Sequence, residues 1–236
     1  MTVAQKPEMP ILLKGDVGDG VHLLGCRYPR GTHHDLHIHR QAQLVFAASG
    51  TMQVTTPKGR WLVPPGRAVW VPARLEHAIG VLADIEMRTL YFETDWLARN
   101  DQNLDAEFVV RVSPLLREAV LALFERESPG DRDGLLLRLI MLELHQAEDP
   151  TTFIPLPREP RCRAAADLVL AAPMVNHDIA DLARQVGTST RTLSRLFAIE
   201  THLSFKAWCQ RARIACAIER WAINPRASIK QTAADM

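Results

Sequence analysis

The sequence predicts an α+β protein in two unlike parts, an antiparallel β region followed by a helical region. Three observations carry that prediction. Residues 20–92 break into short runs rich in apolar, β-branched and aromatic side chains, punctuated by turn formers. After Ser113 the apolar residues recur instead at steps of three and four, the period of a helix packed on one face. Between the two helical stretches lies EDPTTFIPLPREP (148–160), where four prolines oppose helix and favour an extended chain.

Taken in order, the candidate strands are VHLLGCRY (21–28), QLVFAAS (43–49), TMQVTT (51–56), GRWLVP (59–64), RAVWVP (67–72), HAIGVL (77–82) and EMRTLYF (86–92). Their near-even spacing suggests a small antiparallel barrel or sandwich. A helix follows Ser113-Pro114, an N-cap with proline in the first turn, and its stripe is Leu115, Leu116, Ala119, Leu123 and Phe124. A second helix over about 133–147, with LLLRLIMLEL, is too apolar to stand freely in water. The pair is expected to cover the barrel, to pair with a second copy, or both. The boundaries that follow are 1–110 for the β domain, 111–149 for a helical dimerisation and transmission segment, 150–160 for a linker, and 161–236 for the helical domain.

Bulk properties narrow the class. The chain has 236 residues, 47% hydrophobic and 23% charged, ordinary values for a folded protein with one or two cores. No apolar run reaches the roughly 18 residues of a membrane span. The N-terminus lacks the basic-then-apolar order of a secretion signal, and four scattered cysteines form no CxxC pair. A cytoplasmic protein with reduced thiols and no membrane partner is the expectation. The net charge of +1 hides a split. Residues 1–157 hold 16 basic against 20 acidic side chains, and residues 158–236 hold 12 against 7. Attraction for phosphates therefore concentrates in the C-terminal third.

That third contains IADLARQVGTSTRTLSRLFAI (179–199), in which Ala183, Gly187 and Leu193 have the A-x3-G-x5-L spacing of a helix-turn-helix. A small residue at 183 lets two helices approach, and Gly187 supplies the positive φ of a tight turn. Asp178 or Asn176 can cap the first helix, and Thr188 or Ser189 the second. Leu193, Leu196 and Phe197 form the second helix's buried face. Thr190, Arg191, Ser194 and Arg195 lie opposite, where side chains can reach base edges and phosphates of double-stranded DNA. A longer helix follows over about 204–223. On it Phe205, Trp208, Ala212, Ala215 and Ile218 form a stripe and Arg211, Arg213 and Arg220 lie off it. SIKQTAADM (228–236) repeats the start of the first unit, and the equivalent of Gly187 would fall just past Met236. A second helix-turn-helix is thus expected to be incomplete in this sequence.

The run from about residue 161 onward, above all RTLSRLF followed by ETHLSFKAW and an arginine-bearing helix, resembles the DNA-binding domain of AraC/XylS-family transcription regulators. The resemblance implies base reading by Arg191, Ser194 and Arg195, with Thr190 and Thr192 near phosphates. Where such proteins usually carry arginine after the tryptophan, this chain has Cys209. The N-terminal half is similar to cupin-type sensor domains of one branch of that family, through HIHRQAQLVFAASG (37–50) and GRAVWVPARLEH (66–77). By that likeness His37, His39 and His77 fall where metal-binding cupins have histidines, and Gln43 stands where they have glutamate. His37 and His39 share a strand face, so they and His77 either hold a divalent metal in the barrel or line a pocket for a small-molecule effector. Trp61 and Trp70 are further pocket candidates, and His33 and His34 read as surface residues.

The function these residues predict is a ligand-responsive, sequence-specific DNA-binding regulator, a homodimer and not an enzyme. A truncated regulator that binds effector but holds DNA weakly is one alternative, and a metal-dependent cupin enzyme is another. The enzyme reading leaves the helix-turn-helix without a purpose, and the chain shows no nucleophile motif or phosphate-binding glycine loop.

Overall fold

The computed structural model describes residues 11–17, 20–100, 102, 104–125, 130–146 and 153–223. Its elements in chain order are β1 (Ile11–Asp16), β2 (Val21–Tyr28), β3 (His33–His37), β4 (Ala42–Thr55), β5 (Gly59–Val63), β6 (Arg67–Val71) and β7 (His77–Phe92). There follow α1 (Thr94–Arg99), β8 (Phe108–Arg111), α2 (Pro114–Phe124), α3 (Asp131–Gln146), β9 (Phe153–Pro155), α4 (Pro160–Ala171), α5 (Ile179–Gln185), α6 (Thr190–Thr201) and α7 (Phe205–Ile223). The α+β class and the antiparallel sheet are as the sequence predicts.

Two strands organise the sheet. β4 and β7 run 14 and 16 residues and pair with each other along most of their length. Each spans two sequence runs that look like separate strands. Register shifts between Ala47 and Met52 mark the bend where β4 passes from one layer to the other. Gly50 sits at that bend with φ +77°, and a Cβ there would lie 2.2 Å from the Asp84 carbonyl oxygen. The first layer orders β1, β2, the end of β7, the start of β4, β6 and β8. The second orders β3, the start of β7, the end of β4, β5 and β9. Among the described residues no ladder joins the edges of one layer to those of the other. The expected barrel is therefore a folded, open sheet.

Alternation along the strands sorts the core into faces. Val45, Ala47, Val69, Met87, Val54, Trp61 and Ile79 meet between the layers. The opposite parity of the first layer, including Leu23, Leu44, Phe46, Trp70 and Leu90, packs against α2 and α3 through Leu116, Val120, Leu123, Leu137, Ile140 and Leu144. Ser113 caps α2 as expected, accepting from Leu116 N at 3.0 Å, and its Oγ also bonds Glu143 of α3. The two helices thus cover the sheet within one chain. Leu115, Leu135 and Leu142 nevertheless remain 52%, 67% and 62% exposed.

The proline-rich segment is extended, but it is bonded on both sides. Its residues 153–155 form β9, the edge strand of the second layer. Ile154, Leu156 and Leu62 then share a buried cluster with α4 to α7, so the sheet's outer face is continuous with the core of the helical domain. The start of the segment, residues 148–152, lies outside the described residues.

A side chain at position 50 meets backbone rather than a yielding side-chain tip. Gly50→Ala is expected to cost about 2 kcal/mol or more through a disfavoured φ and forced backbone movement. A urea unfolding curve with a lower midpoint and unchanged slope checks this.

Candidate functional site

The antiparallel register brings the histidines together. His37 of β3 lies opposite His77 of β7, and their ring centroids are 4.4 Å apart. His39 follows just beyond the end of β3, with centroids 4.8 Å from His37 and 5.5 Å from His77. Gln43 of β4, opposite Tyr91, lines the same cavity of about 400 Å3 from the other layer. All four residues singled out in the sequence therefore converge, although they span 41 positions from His37 to His77.

Local bonds fix the chemistry of the rings. His77 is fully buried, and its Nδ1 lies 2.9 Å from the Leu75 carbonyl oxygen. His37 Nδ1 lies 2.5 Å from the Asp35 carbonyl oxygen. A carbonyl only accepts, so both Nδ1 atoms carry the proton and both Nε2 atoms keep a lone pair. His77 Nε2 and Gln43 Nε2 are buried with no hydrogen-bond partner among the described residues. Burial, with repulsion from His37 and His77, pushes His39 down to about 4. His77 is pushed down as well, mainly by burial and against the help of the Leu75 carbonyl. His39 and His77 are thus neutral donors near pH 7.

That donor set fits a divalent ion. One ligand atom from each histidine lies within 4.8 Å of the other two, so a modest contraction would reach the Zn–N distance of about 2.0–2.1 Å. Three neutral imidazoles suit zinc, nickel, copper or ferrous iron better than calcium or magnesium. The same cavity is lined by Tyr28, Tyr91, Thr89, Met87 and Ile79, which offer apolar surface and hydroxyls to an organic ligand. Burial raises both tyrosines above their ordinary range and keeps them protonated donors.

Three sequence expectations need correction here. Trp61 is buried between the layers and Trp70 faces the helices, its indole donating to the Leu104 carbonyl, and neither lines the cavity. His33 is exposed as expected, whereas His34 is half-buried. Both line the cavity, and His34 stands edge-on to Tyr28 at 4.9 Å. Strand register, which needs the partner strand, decides these sides.

The second site is the helix pair α5–α6. Asp178 caps α5, accepting from Ala180 N at 2.6 Å, and Ser189 caps α6, accepting from Thr192 N at 3.1 Å. Gly187 turns the chain with φ +69°, and Thr188 N closes back on the Ala183 carbonyl. Leu182, Ala183, Leu193 and Phe197 are buried between α4, α5, α6 and α7, with Leu196 partly buried. Thr190, Arg191, Ser194 and Arg195 are exposed along one face of α6. The Thr192 hydroxyl is engaged with Ser189 Oγ at 2.9 Å.

On α7 the side chains take roles the sequence does not show. Arg211 donates to the Phe153 carbonyl, and Arg213 to the carbonyls of Pro173 and Val175. Those guanidiniums hold the domain together. Cys209 is buried, and burial pushes its thiol up to about 11. The side chains beyond Ile218, Arg220 among them, and the start of the repeated unit at 228–236 lie outside the described residues.

A histidine-lined sheet joined to a helix-turn-helix is the architecture of a transcriptional regulator with a ligand-binding domain. The chain belongs to the family of AraC-like ligand-binding domains, whose model matches residues 26–145. It is 29% identical over 187 residues to the HTH-type transcriptional regulator NimR of Escherichia coli K12, covering 78% of this chain and 67% of NimR. Solved structures similar to it include ToxT of Vibrio cholerae, at 12% identity over 92% of this chain and 88% of that one with a TM-score of 0.40. A cupin superfamily protein of Desulfitobacterium hafniense, at 16% identity, covers 39% of this chain and 84% of its own with a TM-score of 0.34.

Removing the α6 cap tests whether local order matters for the exposed face. Ser189→Ala is expected to lower stability by about 1 kcal/mol, since the Thr192 amide loses its acceptor and the Thr192 hydroxyl its partner. Thermal unfolding of both proteins at one concentration measures the shift.

Proposed function

We propose that the chain is a ligand-responsive, sequence-specific DNA-binding transcription regulator. One observation carries the reading. α6 buries Leu193 and Phe197 and leaves Thr190, Arg191, Ser194 and Arg195 exposed on the opposite face. That is the arrangement of a recognition helix entering a major groove. Arg191 and Arg195 have the length and fork geometry for paired bonds to guanine O6 and N7, each worth about 1–3 kcal/mol of discrimination. Ser194 reaches a base edge or phosphate, and Thr190 a phosphate. Thr192, tied to Ser189, serves the cap first. The similarity to NimR, an HTH-type transcriptional regulator, supports the same reading.

The effector enters the cavity lined by His37, His39 and Gln43, with the buried His77 packed against the two imidazoles. A divalent metal held by the three imidazoles, with the Gln43 amide as a neutral neighbour, fits that donor set. When bound it would anchor a donor atom of the effector or itself be the signal. The chain's own residues supply the rest: Asp35 and Leu75 carbonyls orient the rings, and Tyr28 and Tyr91 offer hydroxyls. Replacing a carboxylate by Gln43 leaves the site without a basic group beside the ion, which favours binding over turnover. The protein works as a homodimer in the cytoplasm, pairing through Leu135 and Leu142, which lie two helical turns apart on the exposed side of α3.

A footprinting titration on the duplex flanking the gene tests the DNA reading. Arg191→Ala and Arg195→Ala are each expected to weaken specific binding by about 1–3 kcal/mol, or roughly 5- to 150-fold. Unchanged protection by the double variant would end the regulator proposal.

Calorimetric titration with Zn2+ or Ni2+ tests the metal. One ion per chain is expected to bind, and at 100-fold excess over Kd to stabilise the fold by about 2.7 kcal/mol. His39→Ala and His77→Ala should abolish both effects. Uptake that persists in these variants would place the ion elsewhere.

A further inference from the structure

Five cross-strand neighbours form one unbroken row through the second layer. His34 lies opposite Ile79, Ile79 opposite Val54, Val54 opposite Trp61, and Trp61 opposite Phe153. Directly opposed residues of antiparallel strands project from the same face, with Cβ atoms about 4.5–5.5 Å apart. The row is therefore a line of side chains in contact, crossing β3, β7, β4, β5 and β9. Its first two members line the histidine cavity. Val54 and Trp61 are buried, at 0% and 6% exposure. The Trp61 indole stacks on the Phe153 ring with centroids 3.9 Å apart and planes 25° from parallel.

At its far end the row meets the DNA-reading domain. The Phe153 carbonyl accepts from Arg211 of α7 at 3.2 Å, and the Pro155 carbonyl accepts from the buried Trp208 indole at 2.7 Å. Three residues on, the backbone amides of Arg158 and Glu159 donate to the Glu200 carboxylate of α6 at 2.6 and 3.0 Å. Phe153 is thus both the last member of the row and the first group the helical domain grips.

We infer that this row, from His34 to Phe153, transmits the state of the histidine cavity to the recognition helix. The inference rests on that cavity being the effector site. β9 is the element with room for a second arrangement. It is a three-residue edge strand, and a cavity of about 580 Å3 bordered by Phe153, Pro155, Leu203 and Arg211 lies beside it. Close-packed side chains do not absorb a displacement by compressing, so a shift at Ile79 passes to the next member with space to move. That member is Phe153. An effector that fits one position of β9 better than the other shifts the balance by its difference in affinity.

The experiment needs no effector, so its failure is separate from a failure of the effector reading, which the metal and DNA titrations decide. Amide exchange is followed by NMR at the backbone N–H of Leu156, Arg158 and Glu159 and at the Trp208 indole N–H, in the whole chain. Ile79→Val and Leu24→Val each remove one methylene from the cavity lining, but Leu24 lies on β2 opposite Thr89, off the row. Ile79→Val is expected to speed exchange at these four groups by about 3- to 10-fold, through local opening of β9 rather than global unfolding. Leu24→Val should leave them at the parent rate. In a Trp61→Phe background, with the row interrupted, Ile79→Val should no longer have its effect. Equal changes in the two methylene variants would overturn the inference, as would an Ile79→Val effect undiminished by Trp61→Phe. If Trp61→Phe does not fold, the comparison of Ile79→Val with Leu24→Val decides alone.

Discussion

The two halves of this protein depend on a clasp between one short strand and two helices. β9 completes the sensor sheet by pairing with β5, and its carbonyls are held by Trp208 and Arg211. Glu200 closes the clasp from the recognition helix by accepting two backbone amides. The Trp208 indole is fully buried, so its N–H must find an acceptor, and the Pro155 carbonyl is that acceptor. Without the strand, that donor would be stranded in the core of the helical domain at a cost of about 1–3 kcal/mol. The sensor edge and the helical core are therefore mutually required surfaces.

The clasp also explains a division of labour among the arginines. The positive balance of the C-terminal third is real, but its members act differently. Arg211 and Arg213 donate to main-chain carbonyls of the fold, Arg213 spanning two of them with one guanidinium fork. Arg191 and Arg195 have no such task and stand exposed on α6. Their charge attracts phosphate without cost to the core. Total charge alone cannot separate these uses; position relative to the buried stripe of each helix can.

What was legible in the sequence follows how local the determining physics is. The α5–α6 unit is specified within 21 residues by two caps, a glycine with positive φ and a helical stripe, and Asp178, Gly187, Ser189, Leu193 and Phe197 all act as their spacing implies. The sheet is less local. Gly50 and Asp84 look like turn residues, yet they mark the bend of two long strands, because bulges and hairpin turns use the same residue types. β3, HHDLH, lacks an apolar alternation, and β9 contains proline, which is tolerated only because the strand lies at an edge. The convergence of His37, His39 and His77 followed from resemblance. The sides taken by Trp61, Trp70 and His34 follow from pairing partners that no single segment of sequence names.

The clustered rings and the short strand act together as one energetic unit in the proposed function. The three imidazoles lie within ligand reach of one another, and burial with repulsion between rings pushes His39 and His77 down, so a ligand that supplies positive charge meets two donors already uncharged. On the proposed reading, binding there tightens the β3–β7 pair at His37 and His77, and the row begins further along the same pair of strands, where His34 lies opposite Ile79. The remaining members are buried in a layer too dense to yield, and β9 contributes only a few ladder bonds. A difference of a few kcal/mol in effector affinity between two positions of that strand is then enough to move the population of the clasp by two orders of magnitude or more. The sensor needs no large rearrangement. On the proposed function, it needs only a strand held weakly enough to respond and bonded directly enough to α6 and α7 for the response to reach DNA.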